Sequence, residues 1–311
     1  MTMTETLVRP SPQGRPHGPR RQGGWGIRVA PYLFLIPNML IFGVFTIWPA
    51  LNGFNISLYS SSNGRTFRWE GLGNYQKILT DEEFWGVVRN TVVYSVAYVA
   101  LSLLFSVGLA ALVHAQRRGR TFFRAVYFVP VLVSPVVVGL IWGWMFERQN
   151  GLVNAALGAV GIPAIPWLVD GGWAMVAIII VGVWMQVGFY LLILLAGLQA
   201  IDPALYEAAR MDGAGWWAQF RIITIPLLQP SIVVVLVLAT IHGFQSFDFI
   251  WTLTGGGPVG ATTLMVQYIY ENGFQSPIRL GIAAAGGVLL FLAVFVLTLI
   301  NWAISRRREA V

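Results

Sequence analysis

Hydrogen-bonding side chains are rare in the long apolar stretches of this sequence, so those that occur there are candidates for ligand binding. Gln186 and Tyr190 lie four residues apart in one stretch and would share one face of a helix. A later stretch adds polar and aromatic groups: Thr240, His242, Phe244, Gln245, Ser246, Phe247, Asp248 and Trp251. Such groups suit a sugar, whose hydroxyls are hydrogen-bonded while its faces stack on aromatic rings. The alternatives are helix–helix hydrogen bonds for His242, Gln245 and Ser246, and an interfacial position for Asp248.

Catalytic and metal-binding patterns are missing from the sequence. The chain has no Cys, which removes thiol nucleophiles, thiolate metal sites and iron–sulfur clusters. Its one lysine, Lys77, follows Tyr75-Gln76, so a phosphate-binding loop ending in Gly-Lys-Ser/Thr is absent. The three histidines are far apart in sequence, and neither His-Glu-x-x-His nor Gly-x-Ser-x-Gly occurs. We therefore expect a protein that is not an enzyme and that binds no metal or cofactor of its own.

The composition indicates that the apolar stretches cross a membrane. Of the 311 residues, 56% are hydrophobic and 11% are charged, whereas soluble domains carry about 25% charged residues. A helix needs about 20 apolar residues to cross the hydrocarbon core. Six stretches are long enough: 29–51, 91–113, 125–146, 173–195, 226–250 and 280–304. The sequence thus predicts an all-α, polytopic membrane protein with six transmembrane helices.

The basic residues predict the orientation of these spans. With a cytoplasmic N-terminus, 14 of the 20 Lys and Arg residues fall in cytoplasmic segments, as the positive-inside rule expects. Both termini are therefore predicted in the cytoplasm, and the basic excess is interpreted as a topology signal rather than a nucleic-acid patch. We expect residues 1–28 to be a disordered basic tail, 29–305 to be one membrane domain, and 306–311 to be a basic C-terminal tail.

Two short patterns predict how the helices bend and pack. Pro130 and Pro135 should kink the third span, at a point that the sequence does not specify. Gly139 and Gly143 form a GxxxG pattern, and Gly281 with Ala285 is its weaker relative. Small residues at this spacing let helices approach closely, and we expect that role rather than contact with a solute.

The segment between the fourth and fifth spans, residues 201–226, has the strongest local signals. Asp202 can cap a helix whose first residue is Pro203, because a proline lacks the N–H group that the first turn would leave unpaired. This helix should run to about Met211. Gly213 then allows a sharp turn into a second short amphipathic helix, and the fifth span follows.

One face of the first helix in this segment is small at its centre: Leu205, Ala208, Ala209 and Asp212. Small side chains allow the surface of another protein to approach closely. The alternative is a pair of helices lying on the lipid headgroups.

Residues 201–226 also resemble a known family. The EAA loop of ABC importer permeases has a pattern similar to Glu207-Ala208-Ala209, Gly213 and Ile223-x-Ile225-Pro226. Ile225 stands where that family usually has Leu. Two other segments are similar to carbohydrate-type importer permeases of the MalF and UgpA kind: Phe123-Arg124-Ala125 with Pro130, and Thr254-Gly255-Gly256-Gly257-Pro258. The large external insertion of some maltose permeases is absent.

The resemblance implies a type I ABC importer permease fold in the bacterial inner membrane. The loop would be a coupling helix seated in a cleft of a cytoplasmic ATPase, which binds the ATP and Mg and supplies the energy. The implied contact residues are Glu207, Ala208, Ala209, Arg210, Asp212 and Gly213. The implied partners are a second, similar permease, two ATPase subunits and an extracytoplasmic solute-binding protein.

The resemblance also implies where a substrate would lie. In maltose permeases of this kind the sugar lies mid-membrane against the spans that match four and five here, and Tyr190 matches a substrate-contacting tyrosine. The other positions that match the lining are Gln186, Val187, Ala239, His242, Gly243 and Ser246. Together with Gln245 and Asp248, these form the predicted substrate-lining set. A neutral mono-, di- or oligosaccharide is favoured, the alternatives being glycerol phosphate, a polyol, or a secondary carrier that needs no ATPase.

Overall fold

The computed structural model describes residues 25–115 and 119–309, and most of these residues are helical. The α-helices in these ranges are α1 (Trp25–Phe42), α2 (Trp48–Ile56), α3 (Gly73–Leu79), α4 (Glu82–Ala115), α5 (Arg120–Leu132), α6 (Pro135–Met145), α7 (Leu152–Ala159), α8 (Gly171–Gln199), α9 (Pro203–Met211), α10 (Trp216–Gln219), α11 (Ile225–Phe244), α12 (Asp248–Leu253), α13 (Met265–Phe274) and α14 (Leu280–Glu309). Two five-residue π-helical turns, Gly43–Ile47 and Phe220–Thr224, follow α1 and α10. Strands β1 (Tyr59–Ser60) and β2 (Arg68–Trp69) form a short antiparallel hairpin, in which Tyr59 pairs with Trp69.

The chain divides into two compact units, residues 1–52 and residues 53–311. The described part of the first unit is α1, the first π-helical turn and the beginning of α2. Its large apolar side chains are exposed, including Phe45 and Trp48. Residues 1–24 of the predicted N-terminal tail lie outside the described residues, and α1 already begins at Trp25. At the other end α14 runs on to Glu309, through most of the predicted C-terminal tail.

Five helical segments are long and apolar enough to cross a membrane. They are Leu35–Ile56, Glu82–Ala115, Gly171–Gln199, Trp216–Phe244 and Leu280–Asn301. A bent pair, Phe122–Leu132 with Pro135–Met145, makes a sixth if its two helices are counted as one span. The predicted all-helical membrane architecture is therefore confirmed, although the third span is sharply bent.

The third predicted span is two helices, α5 and α6, which meet at an angle of 97°. Val133 and Ser134 between them are extended, with ψ of 137° and 130°. The cause is local, because Pro135 disfavours helical backbone at the residue before it and cannot donate a hydrogen bond into α5. The kink expected from the prolines thus lies at residues 133–134.

The fifth span also differs from the continuous helix 226–250 that the sequence predicts. The helix begins earlier, at Trp216, and passes through the second π-helical turn before Pro226. It ends earlier, at Phe244, and α12 begins after a break at residues 245–247. Phe247 at this break has φ −148° and ψ −61°, outside the helical region. The helical backbone is therefore interrupted at residues 245–247.

The core of the second unit lies where α4, α8 and α11 pack together. Tyr94 and Tyr98 of α4 and Tyr190 of α8 are among its fully buried side chains. A smaller apolar cluster joins α3, α13 and α14 to the start of α4, and it includes Ile78, Phe84, Met265 and Tyr268. These two clusters hold the helices that form the candidate sites described below.

Glycines allow close helix contacts at two points of this core. A Cβ atom at Gly139 of α6 would lie 1.9 Å from Thr252 Oγ1 of α12. A Cβ atom at Gly188 of α8 would lie 1.8 Å from the carbonyl oxygen of Tyr127 of α5. Real Cβ atoms do not approach other atoms so closely, so only glycine fits at these contacts. The close-packing role expected of Gly139 agrees with this contact, whereas a Cβ at Gly143 would lie 3.8 Å from Leu253, an ordinary distance.

Candidate functional site

A cavity of about 210 Å³ lies at the break between α11 and α12, and we call it the central cavity. Its walls come from α4, α6, α8, the last turn of α11, the break and the start of α12. The lining residues are Tyr94, Tyr98, Pro135, Gly182, Met185, Gln186, His242, Gln245, Ser246, Phe247, Asp248 and Phe249. Pro135 directly follows the first helix break, and Gln245–Phe249 lie at and directly after the second, so both interruptions border the cavity.

Two buried tyrosines position His242 at this cavity. The hydroxyls of Tyr98 and Tyr190 share a hydrogen bond of 2.9 Å, and Tyr190 Oη lies 2.9 Å from His242 Nδ1. Both tyrosines are almost completely buried. Because a buried hydroxyl that loses its partner is costly, this chain of bonds fixes the orientation of the imidazole ring.

A second pair of bonds holds the wall next to the break. Tyr94 Oη donates to Ser246 Oγ at 3.2 Å, and Ser246 Oγ donates to the carbonyl oxygen of His242 at 2.8 Å. Gly182 of α8 allows this arrangement, since a Cβ there would lie 2.6 Å from Tyr94 Oη. Ser246 therefore closes the last turn of α11 while it ties the break to α4.

Three lining side chains have polar groups that no other described residue engages. Neither the amides of Gln186 and Gln245 nor the carboxylate of Asp248 has a hydrogen-bond partner within the described ranges. Gln245 and Asp248 are exposed and Gln186 is half-buried. These groups, together with the ring of Phe247, are available to a ligand.

The structure separates the predicted substrate-lining residues into two groups. Gln186, His242, Gln245, Ser246 and Asp248 line the central cavity. The remaining four do not line it, namely Tyr190, Val187, Ala239 and Gly243. Tyr190 lies behind His242, and Gly243 packs against α4, where a Cβ would lie 3.2 Å from the ring of Tyr98. Ala239 and Val187 are buried, and Val187 lines an apolar groove beside α5 instead.

Two lining residues that the sequence reading missed are Tyr94 and Tyr98 of α4. A signal for them exists in the sequence, because the polar residues of this span recur at helical spacing. The buried members of this stripe are Thr91, Tyr94, Ser95, Tyr98, Ser102 and Ser106. A polar stripe on an otherwise apolar helix marks the face that turns toward other helices or a cavity.

The loop between α8 and α11 forms the second candidate site. Asp202 Oδ1 accepts a hydrogen bond of 2.9 Å from the amide of Ala204, and Pro203 is the first residue of α9, as predicted. Gly213 has φ +79°, a conformation that side chains with Cβ adopt rarely. The hydroxyl of Tyr206 lies 3.0 Å from Thr224 Oγ1, which joins α9 to the second π-helical turn.

The predicted contact residues of this loop form a surface that the rest of the described chain leaves uncovered. Ala209 is half-buried. The other five are exposed, namely Glu207, Ala208, Arg210, Asp212 and Gly213. Helix α9 has no buried residue. A short helix with so little contact to its own chain gains little stability from it, so its outer face is free for another molecule.

Metal-binding clusters are absent from the part of the chain that the structure describes. No group of three or more His, Asp or Glu side chains there could hold an ion. His242 Nδ1 is hydrogen-bonded to Tyr190, and Asp248 is the one carboxylate among the residues that line the central cavity.

The fold and the loop agree with one family of membrane transport proteins. The family described as "Binding-protein-dependent transport system inner membrane component" matches residues 102–310. The chain belongs to this family. As a binding-protein-dependent permease it is a multi-pass inner membrane subunit that transports rather than catalyses, and both candidate sites lie within or beside the matched range.

Relatives and a solved structure place this permease among ABC transporter subunits. It is 37% identical over 285 residues to the trehalose/maltose transport system permease protein MalF of Thermococcus litoralis, covering 89% of this chain and 94% of that protein. It is 33% identical over 283 residues to the sn-glycerol-3-phosphate transport system permease protein UgpA of Agrobacterium fabrum, covering 90% and 96%. It also matches a chain of a bacterial alginate ABC transporter, solved in complex with an alginate pentasaccharide-bound periplasmic protein, with a TM-score of 0.79, 26% identity and coverage of 91% and 96%.

Proposed function

We propose that this permease is one of two permease subunits in an ATP-driven importer, and that it carries a neutral carbohydrate by alternating access. The observation that supports a sugar is the lining of the central cavity. Gln186, Gln245 and Asp248 offer free polar groups, and the half-buried ring of Phe247 lies beside them. A sugar needs polar side chains that hydrogen-bond to its hydroxyls and aromatic rings on which its faces stack, and the cavity supplies both.

Charge favours a neutral sugar over glycerol phosphate. The carboxylate of Asp248 is the one formal charge among the residues that line the central cavity. A phosphate group would meet a like charge there, without a Lys or Arg to offset the repulsion. The relative named for glycerol phosphate nevertheless makes that solute the competing substrate, and it belongs in every transport assay.

The surface formed by Glu207, Ala208, Ala209, Arg210, Asp212 and Gly213 is proposed as the contact with the ATPase, and we call it the coupling surface. Its exposure and its similarity to the EAA loop support this assignment. The coupling surface is linked to the fifth span through the Tyr206–Thr224 hydrogen bond and the continuous helix from Trp216. Movement of a docked ATPase would therefore be transmitted to the helix whose far end forms the central cavity.

The proposed contact with a cytoplasmic ATPase also implies an orientation in the membrane and a set of partners. The coupling surface and both termini would face the cytoplasm, while the β1–β2 hairpin and α13 would face the outside. The complex would contain a second permease, two ATPase subunits and an extracytoplasmic binding protein. Family membership and the binding-protein complex of the alginate transporter support this composition.

The first experiment is ATPase activity of the co-purified complex in lipid, with its binding protein and a panel of neutral sugars, polyols and glycerol phosphate. We expect one sugar-loaded binding protein to stimulate hydrolysis. If no ATPase co-purifies and the chain alone moves solute into liposomes, the proposal is wrong and the chain is a secondary carrier.

The same assay tests the central cavity through Gln245→Leu. This change removes a free amide at the break, so the rates for two sugars that differ in one hydroxyl should shift relative to each other by about tenfold, the value of one or two hydrogen bonds. Gln149→Leu is the matched control, because Gln149 is exposed outside the cavity. An unchanged ratio in Gln245→Leu would contradict the assignment of the cavity.

A further inference from the structure

Four aromatic rings connect the central cavity to the exposed surface of the chain, and we infer that they form an outer sugar-binding site. They are Phe247 at the helix break, Trp251 of α12, and Tyr270 and Phe274 of α13, and we call them the aromatic track. The inference rests on the proposed function, because it extends the path of the transported solute. The track stacks the trailing units of a neutral oligosaccharide whose leading unit occupies the central cavity.

The four rings form a continuous series of contacts. The ring centroid of Phe247 lies 5.9 Å from that of Trp251 and 5.1 Å from that of Tyr270. Trp251 and Tyr270 are 5.4 Å apart, and Phe274 continues the series at 5.6 Å from Tyr270. Phe247 lines the central cavity, whereas Phe274 is 74% exposed. With α13 facing the outside, as proposed above, the track leads from the outer surface to the cavity.

Helix geometry places the rings in two pairs. Phe247 and Trp251 are four residues apart, as are Tyr270 and Phe274, so the members of each pair lie on the same side of the chain. The amide of Trp251 donates to the carbonyl oxygen of Phe247 at 2.8 Å, which joins the break to α12. Trp251 then meets Tyr270 edge-on, with 66° between the ring planes. Contact between α12 and α13 therefore completes the track.

Packing of the two helices does not account for these rings. Helix α12 packs into the main core through the buried residues Phe249, Ile250 and Leu253. Helix α13 packs through Met265 and Tyr268 in the smaller apolar cluster. None of the four track rings belongs to either cluster. Three of the four are half-buried and the last is exposed, so all keep surface that another molecule can reach.

Two of the rings also carry free polar groups. Neither the indole N–H of Trp251 nor the hydroxyl of Tyr270 has a hydrogen-bond partner within the described ranges. A sugar stacks its faces on aromatic rings while its hydroxyls, at the ring edge, hydrogen-bond to nearby donors and acceptors. The track supplies both kinds of contact.

The length of the track favours an oligosaccharide over a monosaccharide. A single unit in the central cavity would reach only Phe247, the one track residue that lines it. The ring separations along the track, 5.1–5.9 Å, are comparable to the length of one pyranose unit. Successive units of a longer sugar can therefore stack on successive rings.

The test measures equilibrium binding of glucose, maltose and maltotriose to the whole complex in lipid nanodiscs, without binding protein, by saturation-transfer NMR. We expect maltotriose to bind more tightly than glucose, because its added units stack on the track. Phe274→Leu removes the exposed ring at the outer end, and Trp251→Leu removes a ring nearer the cavity. Each should weaken maltotriose binding about fivefold, the loss of one stacked ring.

Two further variants separate stacking from a general loss of structure. Phe67→Leu removes another exposed ring, next to β2, and should bind maltotriose as the unchanged protein does. Trp251→Phe keeps an aromatic face and should recover most of the affinity that Trp251→Leu loses.

Several results would overturn the inference. They are maltotriose binding that is absent, that is no tighter than glucose binding, that both leucine variants of the track leave unchanged, or that Phe67→Leu weakens equally. Failure of the proposed function appears in a different measurement, since no sugar-loaded binding protein would then stimulate the ATPase activity of the unchanged complex.

Discussion

The imidazole of His242 reaches the central cavity on a support of buried tyrosines. Tyr190 hydrogen-bonds both to Tyr98 and to His242, each at 2.9 Å. Tyr190 therefore acts through the imidazole ring of His242, whose orientation it fixes. For a sugar bound in the central cavity as proposed, Tyr190 would act indirectly, while the free amides of Gln186 and Gln245 would contact the sugar directly.

Gly139 gives a residue-scale prediction about the packing of α6 on α12. Gly139→Ala would place a Cβ 1.9 Å from Thr252 Oγ1 and 2.5 Å from the carbonyl oxygen of Phe249, so the two short helices must separate. We expect a loss of about 1–3 kcal/mol, the usual cost of overpacking a core. The measurement is the thermal unfolding midpoint of the purified complex.

Gly143→Ala is the control for this prediction. It lies one helical turn further along the same GxxxG pattern, and its added Cβ would be 3.8 Å from Leu253. Its unfolding midpoint should match that of the unchanged protein. Equal effects of both substitutions would show that the α6–α12 contact is not as tight as the structure describes.

Two interrupted helices distinguish this fold from a simple bundle at the scale of elements. The break between α5 and α6 follows from Pro135, while the break between α11 and α12 contains no proline. Both breaks open onto the central cavity, where backbone groups that leave a helix can face polar contents instead of lipid. The interruptions therefore lie where a path through the membrane needs polar surface.

The coupling surface gives an element-scale prediction. Glu207→Lys reverses an exposed charge on α9 and Gly213→Val forces a branched side chain into φ +79°, at a strain of about 1–2 kcal/mol. Both variants should insert normally, because neither residue is buried. Transport, measured by solute uptake, should be lost together with stimulated ATPase activity. The ATPase should also no longer co-purify with the permease.

Two controls limit this interpretation. Glu82→Lys reverses another exposed charge at the start of α4, away from the coupling surface, and should transport normally. Gly213→Asn should keep activity, since asparagine tolerates a positive φ better than valine does. Normal transport by Glu207→Lys would remove α9 from the contact with the ATPase.

The orientation of the whole molecule is open to a direct chemical measurement, because the chain contains no Cys. Arg65→Cys places a thiol on the exposed β1–β2 loop, and Asp212→Cys places one on the coupling surface. A membrane-impermeant maleimide should label Arg65→Cys in intact cells and Asp212→Cys only after permeabilisation. The reverse pattern would invert the proposed topology.

The sequence by itself determined the features that depend on neighbouring residues. Span length and apolar content require no knowledge of packing, so the membrane helices were predictable. The cap at Asp202 and the start of α9 at Pro203 were predictable for the same reason, since both arise within one turn of helix. Pro135 likewise made a kink in the third span predictable, though not its angle of 97°.

Only the tertiary structure decided which polar residues meet. Helix α8 is apolar on all sides, so its sequence does not indicate which face Gln186 and Tyr190 turn toward. The break at residues 245–247 has no local signal, and it moves Gln245 and Asp248 into the central cavity. Tyr94 and Tyr98 join them from α4 because helices far apart in sequence pack together. That packing depends on the fit of whole helix surfaces, which no single segment contains.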